Sequence, residues 1–382
     1  MHNQEALKKP IFKIISDCSE SLNVSSYVVG GYVRDIILSG KKSNDIDIVA
    51  IGDGIELAKA VSNALPNKPK VSVYKTYGTA MISHKNIDLE FVGARRESYQ
   101  KNSRNPKVFN GSIEDDQKRR DFTINAIYLD AYGKIFDPLN GRADLQAGIL
   151  RFAGDAVKRV TEDSLRILRY CRFLPRFEKT GANAETVILL RNNAALCADL
   201  SGERITRELR QIMVGDQVAE VIRVMRMAEI DRGALGVEFN LPPSGFESNF
   251  DEILRQLGWL VGLATVMPAG SAGALAKRLR LSRSENRCLA CLDAGISDYE
   301  LALLQGPRWK KGAYYLGVWA PMLYAVQSWR NNAKVRARRC AELVEWTPPK
   351  SPICGADLLS HGVDNGPGLG QMLLQAESRW VA

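Results

Sequence analysis

The hydrophobic pattern of this chain changes its period near residue 145, and this change constrains the fold more than any other feature of the sequence. Up to that point, short apolar runs alternate with polar loops, and five runs have the length and composition of β-strands: YVVGG, DIDIVAIG, TAMISH, IDLEFVGA and INAIYLD. GIELAKAVSNAL, between the second and third runs, has the spacing of a helix. Residues 1–145 are therefore predicted to form an α/β domain on a small mixed sheet.

Beyond residue 145, apolar residues recur at helical spacing and strand patterns fade. Two such segments are EDSLRILRYCRFLPRF and ERITRELRQIMVGDQVAEVIRVMRMAEI. Loops rich in proline and glycine interrupt the pattern at 241–245, 267–273, 305–309 and 346–352. The sequence thus predicts an α+β protein whose N-terminal α/β head is followed by all-helical domains.

The charge balance modestly favours a polyanionic partner. Lys and Arg number 52 against 43 Asp and Glu, so the net charge is +9, and such an excess attracts polyanions. Many basic proteins bind no nucleic acid, so this charge is compatible with RNA but does not identify it. Seven cysteines without the spacing of a disulfide scaffold favour a reducing cytoplasm, and no apolar run is long enough to predict a membrane span.

A pair of glycines follows the first predicted strand. Gly30 and Gly31 lead into YVRDIIL, which has helical spacing. Such a junction lets backbone N–H groups approach phosphate oxygens at the positive end of a helix. A glycine pair by itself is more often an ordinary tight turn.

Acidic residues alternate along two of the predicted strands. Asp45 and Asp47 are two residues apart and share one strand face, while the isoleucines that alternate with them face a core. Asp88 and Glu90 are related in the same way. Carboxylates on one face suit Mg²⁺, which binds them together with water and substrate phosphates. Asp88 or Glu90 could complete a two-metal site.

The glycine pair followed by DID resembles the polymerase-β-like nucleotidyltransferase superfamily. Further motifs narrow the resemblance: VVGGYVRDIIL, RRDFTINAIYLD, DPLNGRADLQAGILRFAGD, TEDSLRILRYCRF and SGERITREL. In this order they resemble the bacterial class II CCA-adding enzyme and poly(A) polymerase family. The resemblance implies a nucleotidyltransferase head at 1–145, a helical neck that recognises the nucleobase at 146–215, and a helical body and tail that bind tRNA at 216–382.

The resemblance also implies roles for individual residues. Asp45 and Asp47 would hold two magnesium ions. Glu90, five residues before Arg95, matches the third acidic position of the family better than Asp88 does. It would orient or deprotonate the RNA 3′-OH, or serve only as a structural carboxylate. A larger set would contact the nucleotide: Gly30, Gly31, Arg34, Arg119, Arg120, Asp121, Glu162, Asp163, Arg166 and Arg169.

Two motifs in that set contain arginines paired with acids. In RRD, arginine suits bidentate phosphate or base contacts, and Asp121 can accept a hydrogen bond from a ribose hydroxyl. In EDSLR, Asp163 and Arg166 are three apart, which on a helix places them on one face. In the family this pair, supported by Glu162, is the protein template that selects C and A. One such pairing contributes about 1 to 3 kcal/mol of discrimination.

The activity implied is addition of CCA to the 3′ end of tRNA from CTP and ATP, with release of pyrophosphate. Addition of CC or A alone, poly(A) synthesis, and an inactive tRNA-binding protein are the alternatives. Residues 97–106 are predicted to form a mobile loop, and family members that complete CCA carry a loop there. Basic runs at 277–283, 308–311 and 330–339 are either tRNA contacts or ordinary solvated helix faces. The oligomeric state is not predicted.

Overall fold

The computed structural model describes residues 9–40, 43–75, 78–98, 107–242 and 247–381. The chain divides into two compact units, Met1–Leu189 and Leu190–Ala382. The first unit contains every strand of the described chain, and the second is helical. The predicted α+β class, with an N-terminal sheet followed by helices, is confirmed. The finer division at residues 145 and 215 stays a prediction.

The first unit is built on a mixed sheet of seven strands in the order β3-β4-β5-β2-β1-β8-β9. Only β2 and β5 pair in parallel, and the other neighbours are antiparallel. A separate antiparallel pair is formed by β6 and β7. The strands are β1 Ser25–Val29, β2 Asp45–Ile51, β3 Val71–Tyr74, β4 Thr79–His84, β5 Ile87–Gly93, β6 Arg95–Ser98, β7 Lys107–Asn110, β8 Tyr128–Asp130 and β9 Ile135–Phe136.

Helices cover the sheet and continue the chain beyond it. They are α1 Pro10–Ser21, α2 Gly31–Ser39, α3 Gly54–Ala64, α4 Ile113–Arg119, α5 Gly141–Ala147, α6 Ala156–Glu162, α7 Leu165–Phe177 and α8 Ala184–Asn193. The segment INAIYLD is a strand only from Tyr128, because Thr123–Asn125 before it forms a 3-10 turn. The predicted helix in GIELAKAVSNAL is confirmed as α3.

The two faces of the sheet have different surroundings. Ile46 and Ile48 are fully buried in a large core that includes apolar residues of α1, α2 and α3. Full burial of one such side chain contributes about 1.5 to 3 kcal/mol. Among the described residues, the other face carries a smaller apolar cluster around Val49 and Tyr128. One side of β2 is therefore anchored in the core, and the other is available to polar groups.

The second unit continues with helices from residue 202 onward. They are α9 Gly202–Ile212, α10 Val218–Met227, α11 Ile230–Leu235, α12 Glu247–Leu257, α13 Trp259–Val266, α14 Ala272–Leu279, α15 Arg283–Ala294, α16 Asp298–Gln305, α17 Trp309–Leu316, α18 Ala320–Arg330, α19 Ala337–Glu345, α20 Gly355–Ser360 and α21 Pro367–Val381. None of the helices in the described ranges is both long and apolar enough to span a bilayer.

Candidate active site

Four carboxylates lie on one face of the central strand pair. Parallel pairing of β2 with β5 sets Asp45 opposite Asp88 and Asp47 opposite Glu90, and the period of two directs all four side chains to the same side. Asp88 accepts a hydrogen bond from Ser83 Oγ at 2.6 Å and is exposed, as Asp45 is. Asp47 and Glu90 are half-buried. Glu90, rather than Asp88, is therefore the direct neighbour of Asp47 on β5.

The glycine pair forms the predicted strand-turn-helix junction. β1 ends at Val29, which pairs with Asp47, and α2 begins at Gly31. Gly30 has φ +76°, and a Cβ atom at this position would lie 2.5 Å from Asp47 Oδ2. Position 30 therefore requires glycine for two reasons: its backbone conformation and the close approach of a carboxylate. The turn and the acidic strand form one site.

The charge around Asp47 is incompletely balanced. Burial raises the pKa of Asp47 to about 6; Arg120 opposes this rise, whereas the negative charges of Glu90, Asp45 and Asp116 add to it. Because the ionised form of Asp47 is destabilised in this site, a bound cation would stabilise it.

The donor set fits magnesium if the substrate supplies part of the shell. Asp45 and Asp47 offer hard carboxylate oxygens on one strand face. Over the ranges that the structure describes, no group of three or more His, Cys, Asp or Glu residues forms a metal site alone. Mg²⁺ is commonly held by one or two carboxylates together with phosphates and water, so nucleotide phosphates would complete its coordination here.

Arg120 borders the glycine turn and is held by a buried carboxylate. Its Nε donates to Asp116 Oδ2 at 2.9 Å and lies 3.1 Å from the Tyr128 hydroxyl. Tyr128 in turn donates to Asp116 Oδ2 at 2.6 Å. Asp116 also pairs with Arg119. Burial acts to raise the pKa of Asp116, but Arg120 and Arg119 outweigh it and hold this pKa below its usual value.

Asp121, the acid of RRD, is almost fully engaged within the protein. Its Oδ2 accepts from Arg169 Nε at 2.8 Å and Nη2 at 2.6 Å. Its Oδ1 accepts from the Phe122 N–H at 2.8 Å and from Asn125 Nδ2 at 2.9 Å. A carboxylate offers about four acceptor positions. The predicted ribose contact would therefore have to displace one of these bonds.

Arg34 lies behind the glycine turn and is 6% exposed. Its Nε donates to Asp35 at 2.8 Å and its Nη1 to Asn125 Oδ1 at 2.6 Å. The rings of Phe173 and Phe177 lie 5.3 and 4.6 Å from its guanidinium carbon. Any phosphate contact by Arg34 has to be made through the edge of the guanidinium that faces the turn.

The helical placement predicted for Asp163 and Arg166 is wrong. Asp163 is extended, with φ −149° and ψ 98°, and it separates α6 from α7. Its carboxylate accepts from the Leu165 N–H at 3.2 Å, a local side-chain bond that competes with helix continuation. Arg166 lies in the first turn of α7 and Glu162 ends α6.

Arg166 is fixed by two backbone carbonyls. Its Nη2 donates to Arg119 O at 2.6 Å and its Nη1 to Arg159 O at 2.7 Å. Glu162 lies 3.4 Å from the same guanidinium and also pairs with Arg159. Arg166 therefore connects EDSLR to the RRD segment.

Sequence reasoning missed Asp116, Tyr128 and Asn125. Asp116 precedes Arg119 and Arg120 by three and four residues, the spacing of helical ion pairs, so a signal for it was present. Asn125 is a polar residue inside an apolar run, which signals a buried hydrogen bond but not its partner. Of the predicted loop at 97–106, residues 97 and 98 end β6, and residues 99–106 lie outside the described residues.

Comparison with known proteins agrees with this architecture. A family model described as the poly A polymerase head domain matches residues 26–151. The A-adding tRNA nucleotidyltransferase of Halalkalibacterium halodurans is 30% identical over 266 residues, which are 67% of this chain and 61% of that protein. The CCA-adding enzyme of Geobacillus stearothermophilus is 35% identical over 202 residues, which are 52% of this chain and 48% of that enzyme.

The chain thus spans about half to three fifths of these two relatives. Its fold is similar to that of the Thermotoga maritima CCA-adding enzyme complexed with tRNA, with a TM-score of 0.73 and 22% identity; the match covers 98% of this chain and 92% of that one. The head-domain match covers residues 26–151, and these relatives and the shared fold show that the chain is similar to tRNA nucleotidyltransferases in both sequence and fold.

Proposed function

We propose that this protein adds CCA to the 3′ end of tRNA, using CTP and ATP and releasing pyrophosphate. The observation that carries the proposal is the approach of the Gly30 turn to Asp47, where a Cβ atom would lie 2.5 Å from the carboxylate oxygen. A phosphate-binding turn directly beside metal ligands is the arrangement that transfer at the α-phosphate requires.

Each part of this site has a separate task. The backbone N–H groups of the Gly30–Gly31 turn bind the triphosphate at the start of α2, and Arg120 balances part of its negative charge. Asp45 and Asp47 would hold two magnesium ions, which would supply positive charge to activate the attacking hydroxyl and to stabilise the leaving pyrophosphate. The RNA 3′-oxygen forms a bond to the α-phosphorus as the bond from this phosphorus to the bridging oxygen breaks. We propose that Glu90, the neighbour of Asp47 on β5, orients this hydroxyl or accepts its proton.

Nucleotide choice is assigned to the junction of α6 and α7. Arg166 has its guanidinium oriented by the carbonyls of Arg119 and Arg159. Asp163 lies in the short segment between the two helices. We propose that these two side chains, with Glu162, present donors and acceptors to the edge of the base. The helical second unit is proposed to bind tRNA, and a cytoplasmic location belongs to the same proposal.

Addition of A alone is the second candidate, because the A-adding relative aligns over 67% of this chain. Three tRNA transcripts separate the possibilities: one lacking CCA, one ending in C and one ending in CC. Purified protein with Mg²⁺, CTP and ATP is expected to complete all three to the same length. Extension of the CC-ended transcript alone would establish A addition, and a growing adenylate ladder would establish poly(A) synthesis. Binding without extension would establish a binding protein.

Substitution of the acidic residues tests the metal assignment. Asp45→Asn and Asp47→Asn are expected to lower extension by about 100-fold or more, because metal-held charge in phosphoryl transfer contributes several kcal/mol. Binding of tRNA should persist. Asp88→Asn is the matched control, since Asp88 is paired with Asp45 on the same face but is bonded to Ser83. Full activity of either β2 variant would refute the assignment.

A further inference from the structure

Asn125 lies between the glycine turn and α7, at the end of the 3-10 turn Thr123–Asn125. The residue is 6% exposed. The amide oxygen accepts from Arg34 Nη1 at 2.6 Å, and the amide nitrogen donates to Asp121 Oδ1 at 2.9 Å. Hydrogen bonds to charged groups are shorter and stronger than neutral ones. A buried amide engaged at both ends therefore fixes the direction of both charged partners.

Asn125 determines which edge of Arg34 faces the turn. The Nε atom of Arg34 donates a hydrogen bond to Asp35, and its Nη1 atom donates one to Asn125. The rings of Phe173 and Phe177 enclose the guanidinium. Its Nη2 atom lies 3.5 Å from the position of a Cβ atom on Gly31. The edge that carries Nη2 is thereby directed at the Gly30–Gly31 turn.

The other end of the amide reaches α7. Asp121 accepts two hydrogen bonds from Arg169, and the Arg169 guanidinium lies 5.3 Å from the Phe173 ring, as Arg34 does. A carboxylate in place of the amide would accept from Arg34 but repel Asp121. An aliphatic side chain would remove one hydrogen bond from Arg34 and one from Asp121. Because both groups are largely buried, this loss would be costly. An amide meets both requirements.

We propose that Asn125 is a positioning residue for the incoming nucleotide, which aims Arg34 at the triphosphate on the glycine turn and ties it to the Asp121–Arg169 pair. This role rests on the proposed nucleotidyl transfer. Because Asn125 acts through Arg34, it affects the triphosphate, which CTP and ATP share. Its loss should weaken both nucleotides equally and leave the choice between them unchanged.

The test measures KM and kcat for CTP and for ATP in single-nucleotide extension of tRNA. Asn125→Ala is expected to raise both KM values about tenfold or more, the effect of one lost charge-assisted hydrogen bond, with a smaller change in kcat. In an Arg34→Ala background, adding Asn125→Ala should raise KM little further, because the two residues act as one unit. Asn125→Ser replaces Asn125→Ala if the latter does not fold.

Thr123→Val is the matched control. Thr123 begins the same 3-10 turn, is 3% exposed and donates to Asp144 Oδ2 at 2.7 Å. Its substitution also removes a buried hydrogen bond, but one that does not reach Arg34. It is expected to lower thermal stability and leave KM unchanged. An equal KM increase in Thr123→Val, or fully additive effects of Arg34→Ala and Asn125→Ala, would overturn the proposal.

Calorimetric binding of CTP to the protein without RNA separates this proposal from the proposed function. If the wild-type protein extends tRNA but Asn125→Ala binds CTP as tightly as wild type, the positioning role fails and the transferase function stands. If the wild-type protein extends no RNA, the proposed function fails. A CTP affinity that falls in Asn125→Ala would still support the contact through Arg34.

Discussion

Gly30 lies where the proposed phosphate turn meets Asp47, a proposed metal ligand, and its substitution gives the sharpest test at this scale. Gly30→Ala is expected to lower kcat/KM about 100-fold, because a displacement of about 1 Å near reacting groups has this effect. The added Cβ atom would meet Asp47 Oδ2 at 2.5 Å. Activity is measured by tRNA extension and folding by thermal unfolding.

Gly40→Ala provides the control for backbone strain. Gly40 follows the last residue of α2 with φ +67°, and apart from its chain neighbours no atom of the described residues lies within 4 Å of its Cβ position. Both variants place a side chain at positive φ, and for Gly40, which is in the left-handed helical region, this costs about 1 to 2 kcal/mol. Only Gly30→Ala should lose activity. Equal losses in both would mean that strain, rather than contact with Asp47, matters.

Because of Asp121, the free energy of unfolding is expected to fall as the pH becomes acidic. Burial tends to raise the pKa of Asp121, but Arg169 and the hydrogen bonds from Asn125 and Phe122 outweigh it, so the folded pKa lies below the ordinary value of 3.8. A depressed folded pKa stabilises the fold above the unfolded value, and this stability is lost as pH falls towards the folded value. Asp121→Asn should therefore unfold at lower urea than wild type at pH about 6, with the gap shrinking below about pH 4. A gap independent of pH would contradict this coupling.

The residues that could be predicted are those whose geometry is set locally. Alternation along β2 is enough to place Asp45 and Asp47 together, and a glycine pair before a helix is enough to suggest a phosphate turn. Asn125 could not be predicted, because its partner Arg34 is 91 residues away along the chain. The hydrogen bonding of Asp121 was hidden for the same reason, since Arg169 is 48 residues away.

At the scale of elements, helix α4 positions the arginines of the site. Ser112 caps this helix and forms a capping box with Asp115, and the helix contains Asp116, which holds Arg119 and Arg120. Ser112→Ala is expected to lower stability by about 1 kcal/mol, the usual effect of losing a cap. It should also raise the KM for ATP, because the start of the helix is loosened.

Ser282→Ala is the corresponding change in the second unit. Ser282 caps α15 through the same type of box with Glu285, so its loss should lower stability by a similar amount. The KM for ATP should not change. If thermal unfolding and KM respond alike in both variants, the orientation of α4 has no special importance for the nucleotide.

The hydrophobic period of each segment was enough to predict helix or strand, except where a side chain forms a local hydrogen bond with the backbone. The run EDSLRILRYCRF has helical spacing throughout. The helix is nevertheless interrupted at Asp163, because the Asp163 carboxylate accepts a hydrogen bond from the Leu165 N–H. Likewise, the apolar run that ends in β8 begins as a 3-10 turn. Hydrophobic spacing alone does not distinguish these outcomes, because it contains no information about backbone bonds to side chains.

At the scale of the whole molecule, the basic runs of the second unit have unequal roles. Arg278 donates to the carbonyls of Cys197, Leu200 and Ala234, and therefore stabilises the fold. The side chain of Arg338 is 91% exposed. Sequence alone gave these arginines equal weight, since burial depends on how the helices pack.

Binding of tRNA should weaken linearly with the logarithm of salt concentration, because counterions leave the RNA. Arg338→Glu is expected to weaken binding and reduce the slope by about 1. Lys59→Glu is the control, since Lys59 is exposed on α3, over the core face of the sheet rather than the carboxylate face. Fluorescence anisotropy at several salt concentrations measures both. An equal response would show that only net charge matters.

The parallel pairing of β2 with β5 has a consequence for how this protein can fail. A slip of one residue in either strand would turn its acidic side chains into the core and bring isoleucine or leucine to the opposite face. Such a misfolded sheet would not be a weaker catalyst but an inactive one, because half of the site would be absent. In a refolded sample, the fraction of activity that is lost would therefore equal the fraction of molecules with the wrong strand register. Molecules that fold correctly would keep full specific activity.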